Sequence, residues 1–371
     1  MEYRIYEATF HTGKEGHASK RVRREAVKSF SVCALSAVVF SILSSIVISV
    51  IEVALLLILG KDVAWEIFES NYFMWAMQII GPYLIAFPVL LLMTKNLPRA
   101  RYKKTKMSSG EFITVFLIST GVMVLGSFIS NIISGVIEAV FEIPVTNVPA
   151  ELILGTPLWI ILAVVVIIGP IVEELIFRKV FIDRMSLYGD RLAIITSSIM
   201  FGLFHGNISQ LVYATALGCI LGYVYTKTRS VKYSAALHML INFFGTVPAF
   251  LITDAAYKME EISAKYPDGI IPEEAFYDNI EILKSSITVL TVSVVQYACA
   301  IAGIVLFIVL TAKRAYSVSN RCEIRLPKRT VFRAVFFNFG MIIFLFVSIL
   351  TVLLSINPFL LDTLLVGLFG I

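Results

Sequence analysis

The sequence predicts an all-α protein: a polytopic transmembrane bundle of about eight to nine spans with its N-terminus in the cytoplasm. Three observations predict it. Of the 371 residues, 58% are hydrophobic and only 15% charged, against about 25% charged in soluble domains, and mean hydropathy is +0.86. Several uninterrupted apolar runs exceed the roughly 20 residues that a helix needs to cross the hydrocarbon core, and the short alternating segments of a closed β-barrel are missing. Charge is the third observation. With a cytoplasmic N-terminus, the tail and the loops 95–106, 178–191, 227–232 and 313–333 are cytoplasmic and hold 27 of the 31 Lys and Arg residues, as the positive-inside rule requires.

Taken in order, the spans fall at 29–59, 72–94, 111–141, 156–178, 192–205, 208–226, 233–252, 286–312 and 334–355. The first and third are longer than a perpendicular crossing and predict tilt or a kink. The fifth is short for a full crossing, and the apolar stretch from Asn357 is short enough to lie in the interface. About 28 polar residues precede the first run, which is too long for the apolar region of a cleavable signal peptide.

The chain therefore divides into a basic cytoplasmic tail (1–28), N-terminal transmembrane helices (29–149), a core rich in polar motifs (150–252), an extracytoplasmic acidic loop (253–285) and C-terminal transmembrane helices (286–371). That loop carries three lysines against eight acids. The lipid bilayer is the implied partner. Nucleic acid is disfavoured, because the net +5 is spread over juxtamembrane loops rather than gathered in one stripe.

Boundary residues agree with these spans. Thr156-Pro157 reads as an N-cap followed by proline at the first helical position. Ser108 to Glu111 has capping-box spacing before the third span, and Gly206 after His205 reads as a helix C-terminus. Cys33, Cys219, Cys299 and Cys322 have no paired spacing and read as packing residues rather than a disulfide or metal framework.

The stretch GPIVEELIFRKVF, Gly169 to Phe181, puts two glutamates in the fourth span. An acid at mid-helix costs about 2.5–3.5 kcal/mol on insertion scales. Glu174 and Arg178 are four residues apart and share a face, so they pair. Glu173 points about 100° away and finds no partner on its own helix. Pro170 removes a backbone N–H, predicting a kink that frees the Val166 carbonyl. A break there would set both glutamates near a new helix N-terminus, whose dipole favours carboxylates. An interfacial Glu–Arg pair that merely orients the helix end accounts for Glu174 and Arg178 but leaves Glu173 unexplained.

Two histidines extend the pattern. His205 closes FGLFH, and His238 opens HMLIN, placing His238 and Asn242 on one helix face. Each alone reads as a hydrogen-bonded packing residue. Together, three helices within 70 residues present Glu173, Glu174 and Arg178, then His205, then His238 and Asn242, and polar groups at membrane depth face the bundle interior. Carboxylate and imidazole in a partly dry cavity suit water activation, with His238 and Asn242 as donors to an oxyanion. No serine or cysteine within these motifs supplies a nucleophile. Alternatively, Glu173, His205 and His238 would hold a zinc ion with an open position. The helix pattern HExxH is absent, so spacing does not decide between a zinc site and a metal-independent glutamate.

These motifs resemble those of the CPBP intramembrane proteases, the CAAX protease and bacteriocin-processing or Abi family. EExxxR stands here as EELIFR, FxxxH as FGLFH (Phe201, His205) and HxxxN as HMLIN, in family order on successive helices. The segment LGCILGYVYTKTRS is similar to the family's glycine-rich helix and turn, with Arg229 where glycine is frequent. The resemblance covers about 155–250. It implies a hydrolase: a membrane-embedded endopeptidase, described for many members as a metalloprotease, acting on a peptide or membrane-protein substrate in a bacterial plasma membrane. Glu173 would activate water with His205, His238 and Asn242 would stabilise the oxyanion, and Glu174 with Arg178 would hold the site together. Eukaryotic members trim prenylated CAAX tails, whereas bacterial roles include bacteriocin self-immunity, peptide maturation and signalling. An ion- or proton-coupled transporter and a non-catalytic immunity or scaffold protein are the competing readings. No inverted repeat supports the transporter.

Overall fold

The computed structural model describes residues 20–143, 145, 156–266, 272, 280–313, 322, 324 and 326–356. Every regular element among them is helical. They are α1 (Lys20–Leu59), α2 (Lys61–Phe68), α3 (Asn71–Thr94), α4 (Ser109–Phe141), α5 (Leu158–Tyr188), α6 (Asp190–Phe204), α7 (Ile208–Thr228), α8 (Val231–Lys265), α9 (Ile280–Ala312), α10 (Lys328–Phe336) and α11 (Phe339–Ile356).

Eight of these are long and apolar enough to cross a membrane: α1, α3, α4, α5, α7, α8, α9 and α11. The protein is an integral membrane protein. The predicted fifth span becomes α6, with 15 residues and therefore only about 22 Å long, short of the hydrocarbon thickness. It is buried against its neighbours through Ile194, Ser198, Phe201 and Gly202.

Some expected boundaries move. The 178–191 loop is helical as far as Tyr188, so most of its charged residues sit on α5. Arg184 is buried there, giving two guanidinium hydrogen bonds to the Thr94 carbonyl at 3.0 and 2.7 Å. The acidic loop begins later than expected, because α8 runs on to Lys265. Most of its remainder, the first 19 residues of the tail and the segment from Asn357 lie outside the described residues.

Lipid offers no hydrophobic drive between helices, so close backbone approach at small residues takes its place. A Cβ on Gly303 of α9 would strike the Leu117 carbonyl of α4, and one on Gly121 of α4 would come within 2.8 Å of the Ala300 carbonyl. The same device joins α6 to α7, where Gly202 faces Thr215 and the Leu211 carbonyl, and Gly218 faces Ser198. It also joins α11 to α1, where Gly340 lies on the Ser31 carbonyl. Aromatic packing of Phe177 on Phe181, Phe201 and Phe204, at 5.1–5.4 Å between ring centroids, locks α5 to α6.

Capping follows the sequence at two of three places. Ser108 and Glu111 form a complete capping box at the start of α4. Gly206 takes the left-handed conformation, φ +65°, just after His205 ends α6. Thr156 behaves differently. Pro157 is the residue before the first turn of α5 and no side chain caps it; the Thr156 hydroxyl instead accepts a hydrogen bond from the Trp75 indole at 3.0 Å.

The cation-rich segments meet at one end of the bundle. Ala100 N–H donates to the Asp183 carbonyl, Thr105 N–H to the Thr228 carbonyl and Ile324 N–H to the Leu187 carbonyl, at 2.7–2.9 Å. The ring of Phe30, near the start of α1, packs on Tyr188 at 5.9 Å.

Candidate active site

The glutamates sit on a helix whose pitch changes twice. In α5 an α-helical turn, Gly169–Glu174, lies between two wide π-helical stretches, Leu162–Ile168 and Leu175–Ile182. The helix is widened but continuous. The expected break, with a fresh N-terminus beside the doublet, is not formed, so the carboxylates draw their stabilisation from side chains rather than from a helix dipole. Wide turns of this kind recur at functional sites, and here their effect is to change which carbonyls and side chains face inward.

Glu174 is fully buried and lies within ion-pair range of Arg178 and His238. Arg178 Nε lies 3.3 Å from Glu174 Oε2, with both side chains 0% exposed. Nδ1 of His238, on α8, lies 3.4 Å from Oε1. Ser234, one turn before His238, is fully buried and gives its hydroxyl to the Val231 carbonyl at 3.3 Å. Arg178 is held from the other side: its Nη1 donates to the Ser197 hydroxyl at 3.2 Å, and that hydroxyl donates to the Phe177 carbonyl at 2.7 Å. Burying either charge alone would cost several kcal/mol, and pairing the two offsets part of that cost.

Glu173 faces the other way and keeps 25% of its side chain exposed. Its Oε2 lies 3.7 Å from Nε2 of the same His238, which is only 3% exposed. One imidazole thus bridges two adjacent carboxylates, one sealed and one open. At 3.7 Å the open contact is within ion-pair range but longer than a hydrogen bond; apo catalytic contacts are often of this length and tighten with substrate.

Phe201 is the hub of the three helices. Its ring packs edge-on against His205 at 4.8 Å and against His238 at 5.7 Å, and carries the Arg178 guanidinium 5.0 Å above its centroid. His205 Nδ1 lies 2.8 Å from the Phe201 carbonyl. A carbonyl only accepts, so Nδ1 carries a proton, and in the neutral imidazole Nε2 then holds the lone pair.

Asn242 has an engagement that the sequence did not indicate. Its Nδ2 donates to the Val165 carbonyl at 2.9 Å. In the π-helical stretch the Gly169 N–H bonds to the Val164 carbonyl, five residues back. The next N–H in that register would be that of Pro170, which has none. The carbonyl served by a side chain is therefore Val165, one residue earlier than the α-helical spacing predicts for Val166.

Other members of the site carried no readable signal. Ser197 and Ser234 are small hydroxyls in apolar helices. Tyr83, on α3, brings its hydroxyl over Gly169, where a Cβ would meet it at 3.2 Å, and lies within electrostatic reach of Glu173. A side chain at Gly169, one helical turn before Glu173, would make Tyr83 or the Val164 carbonyl give by a few tenths of an ångström.

Glu173 and His238 come together, while His205 and His238 both pack on the Phe201 ring. Among the described residues no three His, Cys, Asp or Glu side chains form a group able to hold a metal ion. The donor set Glu173, His205 and His238 is not gathered as a zinc site requires.

Comparison with known proteins gives three findings. Residues 154–244 match the Rce1-like family, described as type II CAAX prenyl endopeptidase Rce1-like. A Bacillus subtilis (strain 168) protein named "Putative membrane peptidase YdiL" is 29% identical over 173 residues, 44% of this chain and 67% of that protein. The "Membrane-embedded CAAX protease MroQ" of Staphylococcus aureus (strain USA300) is 29% identical over 122 residues, 31% of this chain and 49% of that protein, so the match spans about half its length. No solved structure matches.

Proposed function

We propose that this chain, which belongs to the Rce1-like CAAX endopeptidase family through residues 154–244, hydrolyses a peptide bond in a peptide or membrane-protein substrate by direct attack of water. The observation that carries this reading is the bridge from His238 to a sealed Glu174 and an open Glu173. Glu173 is the base: its partly exposed carboxylate takes a proton from water as the oxygen attacks the scissile carbonyl, and it later returns that proton to the leaving amine. General base catalysis of this kind contributes about 10²–10⁴-fold.

His238 is fixed by Glu174, which is fixed in turn by Arg178 and Ser197, so the imidazole is oriented before substrate arrives. The Nε2 of His205, a lone pair on a ring whose Nδ1 is tied to Phe201, accepts the second hydrogen bond of the attacking water. Asn242 uses one amide hydrogen on Val165 and offers the other, beside His238, to the developing oxyanion.

The test is cleavage of a fluorogenic transmembrane peptide by the purified protein in detergent, with Glu173→Gln and His205→Ala as variants. Both lose activity on this reading; if both cleave as well as wild type, the assignment is wrong. Adding a chelator, then zinc, distinguishes a metal-independent glutamate from a zinc enzyme: unchanged turnover supports the former, loss with recovery on zinc the latter. Proton or ion flux in proteoliposomes, abolished by Glu173→Gln and unaccompanied by cleavage, would replace the peptidase with a transporter.

A further inference from the structure

An open pocket lies away from the glutamates, at the cation-rich end. It encloses about 230 Å³ between the 95–106 segment and the ends of α5 and α7, and Arg99, Arg101, Lys104, Lys179 and Arg229 line it with one carboxylate, Asp183. The mouth is pinned rather than loose. Ala100 N–H is bonded to the Asp183 carbonyl, and Thr105 is tied through its N–H to Thr228 and through its hydroxyl to the Lys227 carbonyl at 2.6 Å.

The carboxylate does not balance this charge. Asp183 Oδ1 already accepts from the Tyr225 hydroxyl at 2.7 Å, and Oδ2 from Lys179 at 2.7 Å. Arg99, Arg101 and Lys104 are exposed around the rim and no other acid lines the cavity. At the inner wall Arg229 is buried, with Nη2 paired to Asp190, Nη1 on the Ser186 hydroxyl and its guanidinium 4.0 Å above the Tyr102 ring. Its Nε is buried without a hydrogen-bond partner among the described residues. Arg229 also holds a left-handed backbone, φ 53°, a conformation that costs a residue with a Cβ roughly 1–2 kcal/mol. Arg229 is neutralised by Asp190 and Lys179 by Asp183, so the three exposed rim cations carry the unbalanced charge over the pocket.

We propose that this cavity binds a phosphate group at the membrane surface. Guanidinium forks and ammonium groups converging from three chain segments suit the several oxygens of a phosphate better than the two of a carboxylate. Its place at the ends of two candidate spans, α5 and α7, is where basic pockets between membrane helices meet lipid headgroups. The same chemistry fits a phospholipid headgroup or a free phosphate ion.

The full-length protein in neutral detergent, or in phosphatidylcholine nanodiscs with and without phosphatidylglycerol, tests this by thermal melting and without reference to peptidase activity. Phosphatidylglycerol is expected to raise Tm by about 3 °C. The rise is expected to vanish in the exposed-rim variant R99Q/R101Q/K104Q and to persist in K20Q/R24Q/K28Q, which removes as many surface cations from the same end. A matching rise with sodium phosphate over sodium chloride at equal ionic strength assigns the site to the free ion as well; a rise with lipid alone assigns it to the headgroup. No rise with either probe overturns the proposal. So does a rise that survives the rim variant, one lost equally in the α1 control, or a response to an acidic peptide alone.

Discussion

Asn242 donates its amide N–H to the Val165 carbonyl, and Pro170 is the reason that carbonyl is available. A residue of the HMLIN motif thus compensates a backbone defect created by the GPIVEE motif on another helix. In lipid, an unsatisfied carbonyl has no water to turn to, so the two motifs depend on each other structurally, whatever each does in the reaction.

This dependence predicts a coupling. Asn242→Leu should cost about 1–3 kcal/mol of stability by leaving a part-buried acceptor open at membrane depth. In a Pro170→Ala background the new N–H can serve Val165, and the same substitution should cost about 1 kcal/mol less. Melting of the four proteins of the cycle in detergent checks it; additive losses would sever the proposed link.

The unequal exposure of the doublet predicts unequal phenotypes. Glu173→Gln should reduce kcat by about 10²–10⁴-fold while stability stays within ~0.5 kcal/mol of wild type. Glu174→Gln should lower both, because it weakens the anchor of Arg178 and His238. Turnover and melting temperature measured on the same preparations separate the two roles, and equal destabilisation by both would contradict them.

Arg178→Ala should be destabilising by about 3–5 kcal/mol, since it strands a buried carboxylate. Adding Glu174→Gln to that variant removes the stranded charge and should recover part of the loss without restoring cleavage. Expression yield and thermal melting report the recovery. A double variant no more stable than Arg178→Ala would show that the arginine acts through packing on Phe201 instead.

At position 229 two effects oppose each other. Arg229→Gly relieves a left-handed backbone worth roughly 1–2 kcal/mol, but removes the buried cation facing Asp190, which is worth about 3–5 kcal/mol. Asp190 is the first residue of α6, where the helix dipole returns only about 0.3–1 kcal/mol. The net change should therefore be destabilising, even though glycine suits the backbone. A gain in Tm would mean that the ion pair contributes less than the strain.

Much of the protein is legible in its sequence. Apolar run length locates the eight candidate spans, because hydrocarbon thickness fixes how many residues a helix must hide. The shortness of α6 is visible for the same reason. Polar residues at membrane depth single out Glu173, Glu174, Arg178, His205, His238 and Asn242, since lipid penalises any that do not face a partner. Helical spacing also pairs Glu174 with Arg178, and the cation-rich segments that it groups do meet at one end.

Tertiary structure decided everything that depends on registers between helices. A 3.6-residue repeat assumes an α-helix, so it cannot show that α5 is widened on both sides of the doublet, that the open carbonyl is Val165, or that no break forms. It assigns neither carboxylate to His238, which is set by the approach of α8 and turns out to serve both. Nor does it reveal that Thr156 meets Trp75, that Ser197 braces Arg178, or that Arg229 closes a cationic cavity against Asp190. Sequence periodicity records which faces must be hidden from lipid; which faces meet is fixed by close contacts between helices far apart in the chain.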